Sequence, residues 1–205
     1  MLKKLTIFLF FSSILLNAQN NNQEIELEAG WSIFSTYIIP ESNSLEDVFS
    51  DIIDDVVIIK DEDGNAFWPE FNLNSIGSIQ LGSAYLIKMK NANNLSISGT
   101  TGECNNLISL DTGWSLIGYL DNVSSNVENH FYNIPELTIV KDGEGNIYWP
   151  IFSINTIQEL QPGKGYQIKL NNPIEFNYNC NNECIEYNYS CNGGTWQTEV
   201  YWEIQ

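Results

Sequence analysis

The chain has 205 residues, with 26 Asp or Glu against eight Lys and no Arg, giving a formal net charge of −18. Such acidity repels polyanions and anionic lipid surfaces, so nucleic acid is not an expected partner and an electrostatic membrane anchor is disfavoured. A single histidine and four cysteines leave little material for nucleophilic or metal chemistry.

In chain order, residues 1–18 read as a secretory signal peptide: Lys3 and Lys4, an apolar run from Leu5 to Leu16, and small Ala18 before the cut. The run falls short of the roughly 20 residues that cross a bilayer, so no membrane insertion is expected after cleavage. Its removal leaves 187 residues carrying six lysines and all 26 acids, a formal charge of −20. The expected location is therefore secreted or cell-surface. There, Cys104, Cys180, Cys184 and Cys191 should be oxidised in one of three possible disulfide pairings. Zinc is disfavoured because paired C-x2-C knuckles are missing.

The mature chain is an internal repeat. Residues 60–89 and 141–170 match at 14 of 30 positions, including Lys60/Lys141, Gly64/Gly145, Trp68/Trp149, Pro69/Pro150, Tyr85/Tyr166 and Lys88/Lys169. The expected layout is a first repeat over 24–103, a second over 104–179, and a Cys- and aromatic-rich segment over 180–205.

Each repeat opens with a strand, Ile25–Phe34 or Ile108–Ile117, containing Gly30-Trp31-Ser32 or Gly113-Trp114-Ser115. A short amphipathic helix follows, marked by Leu45, Val48, Phe49 and Ile52 in the first copy and capped at Ser44. Val56–Ile59 and Leu137–Val140, apolar on nearly every position, read as central strands. Each enters an acidic hairpin whose Gly64 or Gly145 supplies positive φ, and Pro69 or Pro150 ends the returning strand. Strands at Tyr85–Met89 and Tyr166–Leu170, then Asn94–Ser98 and Ile174–Tyr178, complete the units. Residues 196–202 alternate as a further strand. The predicted fold is α+β, mainly β: two tandem homologous small domains, each of about five short strands and one short helix.

Asp61, Asp63 and Asn65 imitate part of a calcium loop, but the Gly falls at the wrong position and the closing Glu is missing, so an Asx-type turn is the simpler reading. His130, opposite Val48 of the first copy, has no partner set for Ser-His-Asp or Cys-His catalysis. The expectation is no enzyme, no cofactor and no metal. Candidate binding residues are Trp68 and Trp149, with Lys60, Lys141, Lys88 and Lys169. The two tryptophans are expected to be core residues enclosed by Phe67 and Phe71 or Tyr148 and Phe152, and the lysines to neutralise nearby acids.

The opening Gly30-Trp31-Ser32, the hairpin Asp61–Phe71 and the closing Gly165-Tyr166-Gln167-Ile168-Lys169 resemble a recurring module of uncharacterised secreted and surface proteins from Bacteroidota-type bacteria. The first copy departs from it at Ala84-Tyr85-Leu86-Ile87-Lys88. The resemblance implies place and role in outline, without a reaction. The resulting expectation is a non-catalytic surface, adhesion or assembly module whose partner is a surface protein or a glycan. A carbohydrate-binding module using Trp68 and Trp149 is the alternative, and a glycoside-acting enzyme the weaker one.

Overall fold

The computed structural model of the protein describes residues 21–180. The signal peptide expected at 1–18, Cys184, Cys191 and the strand expected at 196–202 lie outside the described residues.

The first repeat comprises β1 (Asn21–Leu27), β2 (Gly30–Phe34), β3 (Ile38–Pro40), α1 (Leu45–Val48), β4 (Val56–Lys60), β5 (Ala66–Trp68), β6 (Leu73–Asn74), β7 (Tyr85–Met89) and β8 (Asn93–Thr101). The second comprises β9 (Ile108–Leu110), β10 (Gly113–Gly118), β11 (Ser125–Asn126), α2 (Val127–Phe131), β12 (Leu137–Lys141), β13 (Ile147–Trp149), β14 (Ile154–Asn155), β15 (Glu159–Leu160), β16 (Gly165–Leu170) and β17 (Ile174–Phe176). The fold is α+β and mainly β, as expected, but each repeat holds more strands than five.

Each repeat is built on a five-stranded antiparallel sheet, ordered β2-β7-β4-β5-β6 in the first and β10-β16-β12-β13-β14 in the second. The apolar strands β4 and β12 take the central place in each. A smaller sheet accompanies each large one, three-stranded β1-β8-β3 in the first repeat and two-stranded β9-β17 in the second. The opening strand expected as one piece is two: β1 ends at Leu27 and β2 starts at Gly30, whose φ of 98° turns the chain from the small sheet into the large one. Alternation along β7 sends Tyr85, Ile87 and Met89 inward, where they meet Phe34, Leu45, Phe49, Ile59 and Phe67 in one core. The second core repeats this with Ile117, Val127, Phe131, Val140, Tyr148, Tyr166 and Ile168.

Local polar devices account for much of the shared sequence. In the hairpin, the Asp61 carboxylate accepts from the Asn65 backbone N–H and side-chain amide at 2.8 Å each, and Asp142 does the same with Asn146. These bonds close the Asx-type loop around Gly64 and Gly145. Asn74 accepts from the Gly77 N–H and donates to Glu46 on α1, while Asn155 accepts from the Gln158 N–H and donates to Glu128 on α2, so the same residue pins hairpin to helix in both copies. The buried Tyr85 and Tyr166 hydroxyls each accept a turn N–H, from Gln80 and Gln161, at 2.8 Å.

The repeats pack against one another through equivalent residues. The Ser35 N–H donates to the Gly163 carbonyl at 2.9 Å, and the equivalent Gly118 N–H donates to the equivalent Gly82 carbonyl at 2.8 Å. The bridges Phe34 to Lys164 and Ser83 to Ile117 obey the same exchange, as an approximate two-fold axis requires. Near that axis, counterparts meet: Ile33 and Leu116 join Ala84 in a small apolar cluster. A Cβ on Gly165 would lie 2.5 Å from the Cβ of Ala84, and one on Gly118 would lie 2.8 Å from that of Ser35. Two side chains do not fit at either point, so one member of each pair is glycine.

Cys104 is bonded to Cys180, with Cα atoms 6.0 Å apart, which ties the two ends of the second repeat together. No helix among the described residues is long and apolar enough to cross a membrane.

Candidate binding face

The large sheets each present a second, outward face, and strand register specifies which side chains share it. Trp31 on β2 stands opposite Lys88 on β7, which stands opposite Ile58 on β4; Ile59 pairs with Phe67, so the next position along the row is Trp68 on β5. In the second repeat the row is Trp114, Lys169, Ile139 and Trp149. Ile58 and Ile139 belong to neither core cluster. They form a covered apolar floor between the two tryptophans of each row.

Trp31 and Trp114 are 51% and 49% exposed. The Lys60 and Lys88 ammonium groups stand 5.8 and 5.9 Å from the Trp31 ring centroid, and those of Lys141 and Lys169 stand 4.9 and 5.8 Å from that of Trp114. All four lysines singled out by the repeat thus converge on two aromatic rings. None forms an ion pair among the described residues, contrary to the expectation that they neutralise acids. Of the six lysines beyond residue 18, four are committed to these two faces.

Trp68 and Trp149 are mostly covered, as expected, but they lie outside the two core clusters in which they were expected. Phe67 and Tyr148 point into the core, and strand alternation therefore turns the adjacent tryptophans outward, where both are half-buried. Phe71 and Phe152 meet their rings edge-on at 4.7 and 4.6 Å but are themselves 64% and 62% exposed. The 3-10 turn that Pro69 or Pro150 opens places these phenylalanines on the outer face. Trp68 and Trp149 thus extend the row begun by Trp31 and Trp114.

Sequence reasoning treated Trp31 and Trp114 as parts of opening strands and missed them as site residues. The available signal was that Trp31 and Trp114, like the lysines, recur at equivalent positions of the repeat.

Between the repeats, Trp31 borders a cleft lined by Glu26, Glu28, Asp142, Glu144, Glu159 and Lys164. Lys164 pairs with Glu144 there at 3.1 Å. Glu62 reaches across the junction to accept the Leu116 N–H at 3.1 Å, whereas its counterpart Gly143 lies so close to Ile33 that a Cβ would stand 3.1 Å from the backbone nitrogen.

His130 is buried, packed among Tyr119, Phe131 and Tyr178, and its Nδ1 accepts the Asn179 N–H at 3.2 Å. Burial holds its pKa below the ordinary value, with Asp121 opposing, so the neutral imidazole is the packed form.

No protein-family profile, curated protein or solved structure gives a significant match to this chain.

Proposed function

We propose that the protein is an exported, non-catalytic surface, adhesion or assembly module that presents one recognition face twice. The observation carrying this reading is the duplicated cluster of an exposed tryptophan flanked by two lysines, Trp31 with Lys60 and Lys88, and Trp114 with Lys141 and Lys169. An exposed aromatic with adjacent cationic donors is a typical composition for a recognition surface. Export is supported by the signal-like residues 1–18, by the Cys104–Cys180 bond and by the resemblance to modules of secreted proteins. A non-catalytic role is supported by what the repeat duplicates, which is aromatic and lysine side chains, and by the burial of His130.

The test is pull-down of envelope components from the producing cells on immobilised mature protein. Specific capture should fall sharply for the Trp31→Ala/Trp114→Ala double variant, which retains the fold because both rings stand outside the cores. Capture unchanged in that variant would refute the assigned face.

A further inference from the structure

We infer that each outer face is a subsite for a neutral polysaccharide, so that one chain binds two equivalent oligosaccharide segments. This rests on the recognition-face reading above and names the ligand class. The row from Trp31 through Lys88 and Ile58 to Trp68 crosses four adjacent strands, a span of about 14 Å at ~4.8 Å per strand. The equivalent row from Trp114 to Trp149 has the same make-up. An aromatic ring at each end of the row suits a ligand that is itself extended and has a hydrophobic face, as pyranose rings have on the side of their axial C–H groups. Lysine ammonium groups supply donors and no acceptors, which matches the acceptor-rich rim of sugar hydroxyls.

Two other occupants are less well matched. A polyanionic glycan would have to approach a mature chain of formal charge −20, and beside Trp31 it would meet Glu26, Glu28, Asp142, Glu144 and Glu159. An acidic peptide would pair with the lysines but gains little from the aromatic ring at each end of the row.

The experiment is calorimetric titration of the full mature chain with neutral β-glucan, xylan, mannan and chitin oligosaccharides, with galacturonate oligosaccharides and a poly-glutamate peptide alongside. At least one neutral oligosaccharide should bind with a stoichiometry of two. Trp31→Ala and Trp114→Ala should each remove one site, and the double variant should weaken binding at least about tenfold. Trp68→Phe should weaken the first site only, and unchanged melting of the Trp31 and Trp114 variants shows that the loss is local. The proposal is overturned if no neutral oligosaccharide binds, if only galacturonate or poly-glutamate binds, or if the double variant binds as the parent does. Envelope capture that still depends on Trp31 and Trp114 without neutral-glycan binding would retain the surface-module reading and reject only the ligand class.

Discussion

The two repeats agree on their outer faces and differ where they touch each other. Trp31, Lys60, Lys88 and Trp68 are matched one for one by Trp114, Lys141, Lys169 and Trp149. At the junction, Ser35 faces Gly118, Ala84 faces Gly165, and Glu62 has Gly143 as its counterpart. A residue near a two-fold axis meets its own counterpart, and there is room for one Cβ where symmetry would demand two. Duplication within one chain lets the copies diverge at these points, which two identical chains could not do. The repeats also close their ends differently. In the first, β1 pairs with β8 over seven residues and β3 adds a third strand, whereas in the second β9 and β17 pair over three and the Cys104–Cys180 bond stands close by.

The largest effect should come from restoring symmetry of size at the junction. Gly165→Val places side-chain atoms against Ala84, Ile33 and the Phe34 carbonyl, and should cost about 3 kcal/mol by overpacking, whereas Ala84→Gly should cost about 1 kcal/mol. Chemical denaturation of the two variants measures the difference, and equal losses would mean the copies are not packed as described.

A comparable effect should follow from opening the covalent closure. Removing the Cys104–Cys180 bond by a double Ser substitution should destabilise the protein by about 2–4 kcal/mol, since the bond closes a loop spanning 76 positions in sequence. Hydrogen exchange should localise the loss to the second repeat, with β1, β3 and β8 of the first protected as before. Uniform loss across both repeats would contradict the contrast between covalent and strand-paired closure.

Smaller than both is a pH effect confined to the second repeat. His130 has a folded pKa below its ordinary 6.5, so the unfolded chain takes up the proton first as pH falls. Stability from the neutral packed imidazole is present above about 6.5 and declines as pH drops through and below that value. His130→Phe should flatten this part of the stability profile, as followed by thermal melts at successive pH values. An unchanged slope would place the titration elsewhere.

Much of the fold was legible because short-range rules wrote it. The hairpin glycines, the Asx-type loop residues, the prolines ending β5 and β13, and the apolar central strands each have a local cause. The face carrying the site was not legible, because both sides of these sheets bear apolar residues. Phe34 enters the core, while Ile33, on the opposite side, is buried by the other repeat, so alternation alone cannot say which parity faces water. Phe67 beside Trp68 posed the same ambiguity, and the larger residue proved to be the outward one. The break between β1 and β2 was hidden too, because Glu28-Ala29-Gly30 interrupts the apolar pattern only briefly. The helix shrank to Leu45–Val48, although Leu45, Phe49 and Ile52 are buried as its spacing foretold.

The central claim is that Trp31 and Trp114 hold the accessible aromatic faces while Trp68 and Trp149 are half-covered at the far ends of the same rows. Acrylamide quenching of variants that retain one of the six tryptophans, the others replaced by Phe, measures this directly. The account predicts the strongest quenching, and nearly equal quenching, for the chains keeping only Trp31 or only Trp114, with weaker quenching for those keeping Trp68 or Trp149. Protected Trp31 and Trp114, or quenching that is stronger at Trp68 and Trp149, would contradict it.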